Sequence, residues 1–159
     1  MEIRQILEDK QAFLPLLLLG DEQESLIRGY LDASSLFALY DGGALWAVCA
    51  LARENQGIYE IKNLAVAPEA QRRGYGRRMV DFAAGYCRQR GGRRLLAGTG
   101  DSPLTVPFYT ACGFRELRRV PGYFPAHYDH PIWEAGKLLT DLVVFALDLA
   151  PPRSPGPGA

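Results

Sequence analysis

Between Gln71 and Gly76 the chain reads Gln-Arg-Arg-Gly-Tyr-Gly, set between an apolar strand-like run and an amphipathic helical stretch. Glycines at such a junction let successive backbone N–H groups converge where a helix begins. Converging donors at the positive end of a helix are a seat for phosphate oxygens. The same glycines would serve a plain tight strand-to-helix turn, and on their own they leave both readings open. A Walker A phosphate loop is excluded, because no Gly-Lys-Ser/Thr ending follows. The dinucleotide fingerprint is excluded by the spacing and by the antiparallel strands expected ahead of the turn. His127-Tyr128-Asp129-His130 holds both histidines of the chain. A metal site there would need further ligands and outer-shell support, and the segment is rich in aromatics and prolines instead. Cys49, Cys87 and Cys112 lie far apart and cannot all pair with one another, so buried reduced thiols are expected.

The elements that must position these groups fall into two halves. Met1–Ile6 reads as an edge strand, followed by helical stretches around Asp9–Leu19, interrupted by Pro15, and Glu22–Tyr30. Ser35–Tyr40 and Ala44–Ala52 form a hairpin about Asp41-Gly42-Gly43, and Ile58–Val66 is a longer strand after Asn55-Gln56-Gly57. In Gly74–Arg90, Met79, Phe82, Ala83, Tyr86 and Cys87 share a helical face, and Gly91-Gly92 ends the helix. Arg93–Thr99 then reads as a strand, Pro103–Cys112 as a helix, Gly113–Leu117 and Leu138–Leu149 as strands. Strand and helix alternate in this half, which requires crossovers and a partly parallel sheet. The expected fold is one mixed α/β (α+β) domain over residues 1–150, a central sheet of about seven strands flanked by about four helices. Residues 151–159, with four prolines and two glycines, are expected to form a disordered tail. Gly122–Gly136 is expected to be a long irregular loop.

Leu64-Ala65-Val66-Ala67-Pro68-Glu69 runs into Gln71–Gly76, and Phe108-Tyr109-Thr110-Ala111-Cys112-Gly113-Phe114 follows one helix and one strand later. This constellation resembles the GNAT superfamily of N-acetyltransferases, whose signature is an apolar strand, Gln/Arg-x-x-Gly-x-Gly/Ala opening a helix, then aromatic-Tyr-x-x-x-Gly-Phe. The order of strands and helices extends the resemblance from about Met1 to Leu149. Gly98–Ser102 and Gly122–His130 look like those of a bacterial branch typified by YvbK.

The resemblance implies acetyl-CoA as cosubstrate, with no metal. It places Gln71, Arg72, Arg73, Gly74, Tyr75, Gly76 and Arg77 at the pyrophosphate and the backbone of Leu64, Ala65 and Val66 along the pantetheine arm. The Val66 N–H would face the thioester oxygen. Tyr109 matches the family tyrosine that hydrogen-bonds the coenzyme A sulfur as general acid, a role that competes with simple core packing beside Phe108. A phenol facing a thiol is uphill for full proton transfer by roughly 2 kcal/mol in water. Glu60 stands about where histone-modifying members carry their catalytic glutamate; the competing reading is a strand carboxylate paired with Lys62. Tyr123, His127, Tyr128 and Asp129 are candidates for the acceptor wall, since family members commonly build that wall from a loop between the last strands; the competing reading for His127, Asp129 and His130 is that they merely fold the loop.

The implied activity is transfer of an acetyl group to a primary amine on a small molecule or peptide. The alternative is a GNAT-fold module that binds acyl-CoA without turnover. Lys plus Arg and Asp plus Glu both number 18, so the formal charge is zero and a dedicated nucleic-acid surface is not expected. No apolar run approaches the roughly 20 residues that span a bilayer, and Phe13–Leu19 carries no cleavage site of a signal peptide. A cytoplasmic protein without membrane or nucleic-acid partner is expected, with a homodimer possible on family grounds.

Overall fold

The computed structural model describes residues 1–150. Strands β1 (Glu2–Ile6), β2 (Ser35–Asp41), β3 (Ala44–Asn55), β4 (Ile58–Val66), β5 (Arg94–Gly100), β6 (Arg115–Val120) and β9 (Leu142–Asp148) form a seven-stranded sheet in the order β1-β2-β3-β4-β5-β9-β6. The first four strands are an antiparallel meander; β4 and β5 are parallel, and β9 is inserted antiparallel between β5 and β6. Helices α1 (Leu14–Gly20) and α2 (Glu24–Leu31) cover one face, and α3 (Tyr75–Gln89) with α4 (Thr105–Ala111) covers the other.

Strand alternation fills both layers. On β2, Leu36 and Ala38 pack with Leu17, Ile27 and Leu31 below the sheet, while Phe37 and Leu39 pack with Met79, Val80 and Ala83 above it. Phe37 meets the rings of Phe82 and Tyr86 edge-on at 5.0 and 4.9 Å. The three cysteines are buried and unpaired, as reduced core thiols.

Two expectations, on Pro15 and on Gly122–Gly136, are corrected. Pro15 does not interrupt a long helix: a 3-10 turn at Lys10–Phe13 precedes α1, and Pro15 sits in the first turn of α1, where its missing N–H costs no hydrogen bond. The helices number five with the short α5 (Tyr123–His127), close to the expected count of about four. The stretch Gly122–Gly136 is not irregular, since it contains α5 and enters a hairpin, β7 (Trp133–Glu134) with β8 (Lys137–Leu138), over its own small core of Phe124, Ile132 and Leu139. The expected tail at 151–159 lies outside the described residues.

Two irregularities in β4 shape the site. Its pairing with β5 stops at Ile61 opposite Ala97, which leaves the following segment from Lys62 to Val66 without a strand partner on that side. Against β3, Leu51 faces Ile61 and Ala50 faces Asn63, so Lys62 is the extra residue of a bulge. One extra residue inverts the alternation. Tyr59 and Ile61 pack on the α3 face, whereas Ala65 packs on the α1/α2 face.

Candidate active site

The unpaired half of β4 opens a wedge in the sheet, and a cavity of about 530 Å³ lies along it. Ala67 donates its N–H to Trp46 O on β3, so by strand alternation the N–H groups of Leu64 and Val66 point into the wedge. The cavity continues to the turn that opens α3. Gly74 is the N-cap in the left-handed region (φ 82°), and no side chain caps the helix. The first backbone bond of the helix is Arg78 N–H to Gly74 O, and the first turn holds no acidic residue. The earlier N–H groups are therefore free donors at a helix N-terminus, the arrangement that takes phosphate oxygens. A Cβ at Gly76 would come within 3.1 Å of the Phe108 ring, so any side chain there would press on Phe108 where α3 approaches α4.

Nine of the ten residues expected at the cofactor line this cavity: Leu64, Ala65, Val66, Gln71, Arg72, Gly74, Tyr75, Gly76 and Arg77. Arg73 does not; its guanidinium lies over the Trp46 ring at 5.8 Å. Tyr75 is anchored by donating its hydroxyl to Asp41 at 2.7 Å. Tyr109, on α4, reaches the same cavity with only 6% of its surface exposed. Its ring stacks on Phe145 at 5.8 Å and meets Phe108 and Phe114 edge-on. Burial pushes its phenol above the ordinary tyrosine value, so it stays protonated and donates rather than ionises. The packing reading and the cavity reading are thus both features of one residue.

A second cavity, of about 320 Å³, adjoins the first, and Leu19 and Thr105 line both. Glu60 and Lys62 on β4 form one wall. The Lys62 ammonium lies 3.2 Å from Glu60 and 3.0 Å from Glu54, so the expected pair exists in addition to the cavity position. Burial, then the Glu54 carboxyl, raises the Glu60 pKa against the opposing pull of Lys62.

Tyr123 and Tyr128 line this cavity, but His127 and Asp129 do not. His127 is exposed, stacks on Tyr123 at 4.1 Å and donates Nδ1–H to the Tyr123 carbonyl. Asp129 is also exposed, 2.6 Å from His130. Sequence reasoning missed Asp21 and Tyr30, which line the cavity from the end of α1 and from α2. Tyr128 and Tyr30 donate their hydroxyls to the two Asp21 oxygens at 2.9 and 3.2 Å, and Asn63 donates to the Tyr30 hydroxyl at 3.1 Å. No local signal joins residues this far apart in sequence.

The segment after α5 is tied to the α1–α2 turn. Asp129 donates its N–H to Gln23 at 2.9 Å, and His130 lies 2.8 Å from Glu22. The hydrogen bonds His130 donates to Asp129 and then to Glu22 raise its pKa above its ordinary value. A raised histidine pKa contributes stability that is fully present below about 6.5 and is lost as pH rises through the raised value. Glu22→Gln is therefore expected to move the His130 titration back toward 6.5, read from its imidazole resonances by NMR; an unmoved titration would dismiss this clamp. Among the described residues, no group of three or more His, Cys, Asp or Glu has metal-holding geometry, and no helix is long and apolar enough to cross a membrane.

A family model for the acetyltransferase (GNAT) family matches residues 3–114. The chain is 31% identical over 143 residues to an uncharacterized N-acetyltransferase of Bacillus subtilis (strain 168), YvbK, covering 89% of this chain and 92% of the relative. It superposes on an IAA acetyltransferase from Bacillus cereus ATCC 14579 with a TM-score of 0.87 and 31% identity, covering 93% of this chain and 99% of the other. A GNAT family acetyltransferase from Elizabethkingia anophelis with acetyl-CoA bound superposes with a TM-score of 0.88 and 28% identity, covering 93% and 97%.

Proposed function

Because the chain belongs to the acetyltransferase (GNAT) family, we propose that it moves an acetyl group from acetyl-CoA to a primary amine by direct attack on the thioester. The observation that carries this reading is the pair of adjoining cavities: one has free helix N-terminal donors and an unpaired strand edge, and the other has a carboxylate with a raised pKa. Acetyl-CoA would occupy the first cavity, its pyrophosphate on the N–H groups at Gly74–Arg77 and beside Arg72. Its pantetheine arm would pair with the open edge of β4. A ligand of that kind explains why a strand edge inside a sheet is left without a strand.

The protonated acceptor amine loses a proton to Glu60, directly or through water. The neutral nitrogen then attacks the thioester carbonyl carbon. The Val66 N–H stands ready for the oxygen as negative charge grows on it. The C–S bond breaks as the C–N bond persists, and the departing sulfur takes a hydrogen bond from Tyr109 and leaves as the thiol with the second amine proton. A raised Glu60 pKa brings the base closer to neutrality than an ordinary glutamate, which improves its match to the proton it removes. Three buried, unpaired cysteines suit a reducing compartment, and we assign the protein to the cytoplasm on that ground.

Thiol release from acetyl-CoA, measured over a panel of amines with product mass determined, tests the reading. Release with an amide product is expected. Binding of acetyl-CoA with no release from any amine would favour the non-catalytic acyl-CoA-binding module. Glu60→Gln is expected to lower kcat by about 10- to 100-fold. It should also erase the acid limb of the wild-type pH profile, which is expected above the ordinary carboxylate range because the base form of Glu60 disappears as pH falls through its raised pKa. An unchanged kcat and profile would leave Glu60 only its pairing with Lys62.

A further inference from the structure

We infer that the acceptor of the 320 Å³ cavity is a small amine carrying a second ammonium group, and that Asp21 holds the end that does not react. This rests on the acetyltransferase reading above and narrows its acceptor.

The charged side chains on the cavity wall are Asp21, Glu22, Glu60 and Glu134 against Lys62. Lys62 is engaged with Glu54 and Glu60, and Glu22 is engaged with His130. Asp21 and Glu134 have no cationic partner among the described residues, as none of the ion pairs includes them. Asp21 is half-buried and held by two tyrosine hydroxyls. Those donors are neutral. They fix the carboxylate in place without cancelling its charge, and a carboxylate has lone pairs left for a further donor.

The chemistry of transfer then decides what completes the site. An amine must be neutral when it attacks, so a monoamine would leave Asp21 uncompensated at the moment of reaction. A second amine with a pKa of about 10 stays protonated throughout and supplies the missing charge. Three tyrosines, Tyr30, Tyr123 and Tyr128, line the same cavity with Leu19, Leu26 and Leu142, and this apolar carbon suits the short methylene stem of a diamine. Tyr123 lines the same cavity as Asp21 and Glu60, so the two carboxylates share one lining. The volume is at the small end of ligand pockets, which favours a compact diamine over a peptide lysine.

Thiol release from acetyl-CoA would be compared for diaminobutane, aminobutanol and butylamine, with acetyl-CoA affinity measured by calorimetry on each variant as a check of folding. Diaminobutane is expected to show kcat/KM at least about tenfold above both monoamines. Asp21→Asn should bring that ratio close to one, acting through KM for the diamine. Tyr128→Phe, which removes one of the hydroxyls holding Asp21, should lower the ratio in the same direction. Equal use of the three amines by the wild type, or a ratio untouched by Asp21→Asn in a variant that still binds acetyl-CoA, would overturn the diamine assignment and leave the acetyltransferase reading standing. Acetyl-CoA binding without thiol release from any amine would overturn both.

Discussion

Gly74→Asp is expected to weaken acetyl-CoA binding by at least about 100-fold, or roughly 2.7 kcal/mol, while the fold survives. Gly74 is at φ 82°, and a Cβ there meets nothing within 4 Å, so the position is restricted by backbone angle and not by space. Aspartate is among the residues that tolerate the left-handed region best. At an N-cap it also accepts from the free N–H groups of the first turn and sits favourably at the helix dipole, which supports α3. The same carboxylate occupies the donors the pyrophosphate needs and repels its charge. The capping gain offsets the backbone strain, so affinity should fall while stability changes little, a combination that simple misfolding cannot produce. Gly74→Asn, which keeps the conformational tolerance and omits the charge, should lose less. Calorimetry beside thermal melts would decide, and undiminished affinity in folded Gly74→Asp would place the cofactor elsewhere.

Tyr109→Phe is expected to lower kcat by about 100-fold while leaving acetyl-CoA affinity and stability nearly unchanged. The stacking on Phe145 and the edge contacts to Phe108 and Phe114 involve the ring, which phenylalanine retains. Only the hydroxyl is lost. Because burial raises the phenol pKa, complete proton transfer to a thiolate is even less favourable than in water, and the contribution assigned to Tyr109 is a hydrogen bond to sulfur as negative charge develops. The wild type should accordingly show no basic limb from tyrosine ionisation below about pH 10. Single-turnover rates equal to wild type, with chemistry limiting, would reduce Tyr109 to a packing residue.

The parts of this protein that were legible in its sequence are those whose logic is local. The turn from Gln71 to Gly76 carries its glycines and its helix start within a few residues, and the amphipathic face of α3 repeats within each turn. The meander shows as strands separated by glycine-bearing turns. The insertion of β9 between β5 and β6 is not local, nor is the bulge at Lys62, which depends on how β4 registers against β3. The acceptor cavity is the least legible region. Tyr128 reaches Asp21 across more than a hundred residues of chain, and composition alone does not tell which side chains of a single-turn helix face inward. In α5, Tyr123 and Phe124 line the cavity and His127 stacks outside on Tyr123, so the histidine that drew attention in the sequence is a contact within the strap. Arg73 shows the same limit, since a basic residue in a phosphate-like turn is drawn aside by a tryptophan from β3.

The bulge at Lys62 has a consequence for how such a protein changes over generations. It divides β4 into two stretches of opposite phase, the first offering Glu60 to the 320 Å³ cavity and the second offering Leu64 and Val66 to the 530 Å³ cavity. Among the described residues the two cavities have only Leu19 and Thr105 in common. Mutations in one lining that do not touch the other should combine additively. On the proposed function, drift along Asp21, Tyr30 and α5 would explore new acceptors while the acetyl-CoA side is kept intact by selection. A single-residue deletion at the bulge, by contrast, would change both at once, because it would restore one alternation along the whole of β4.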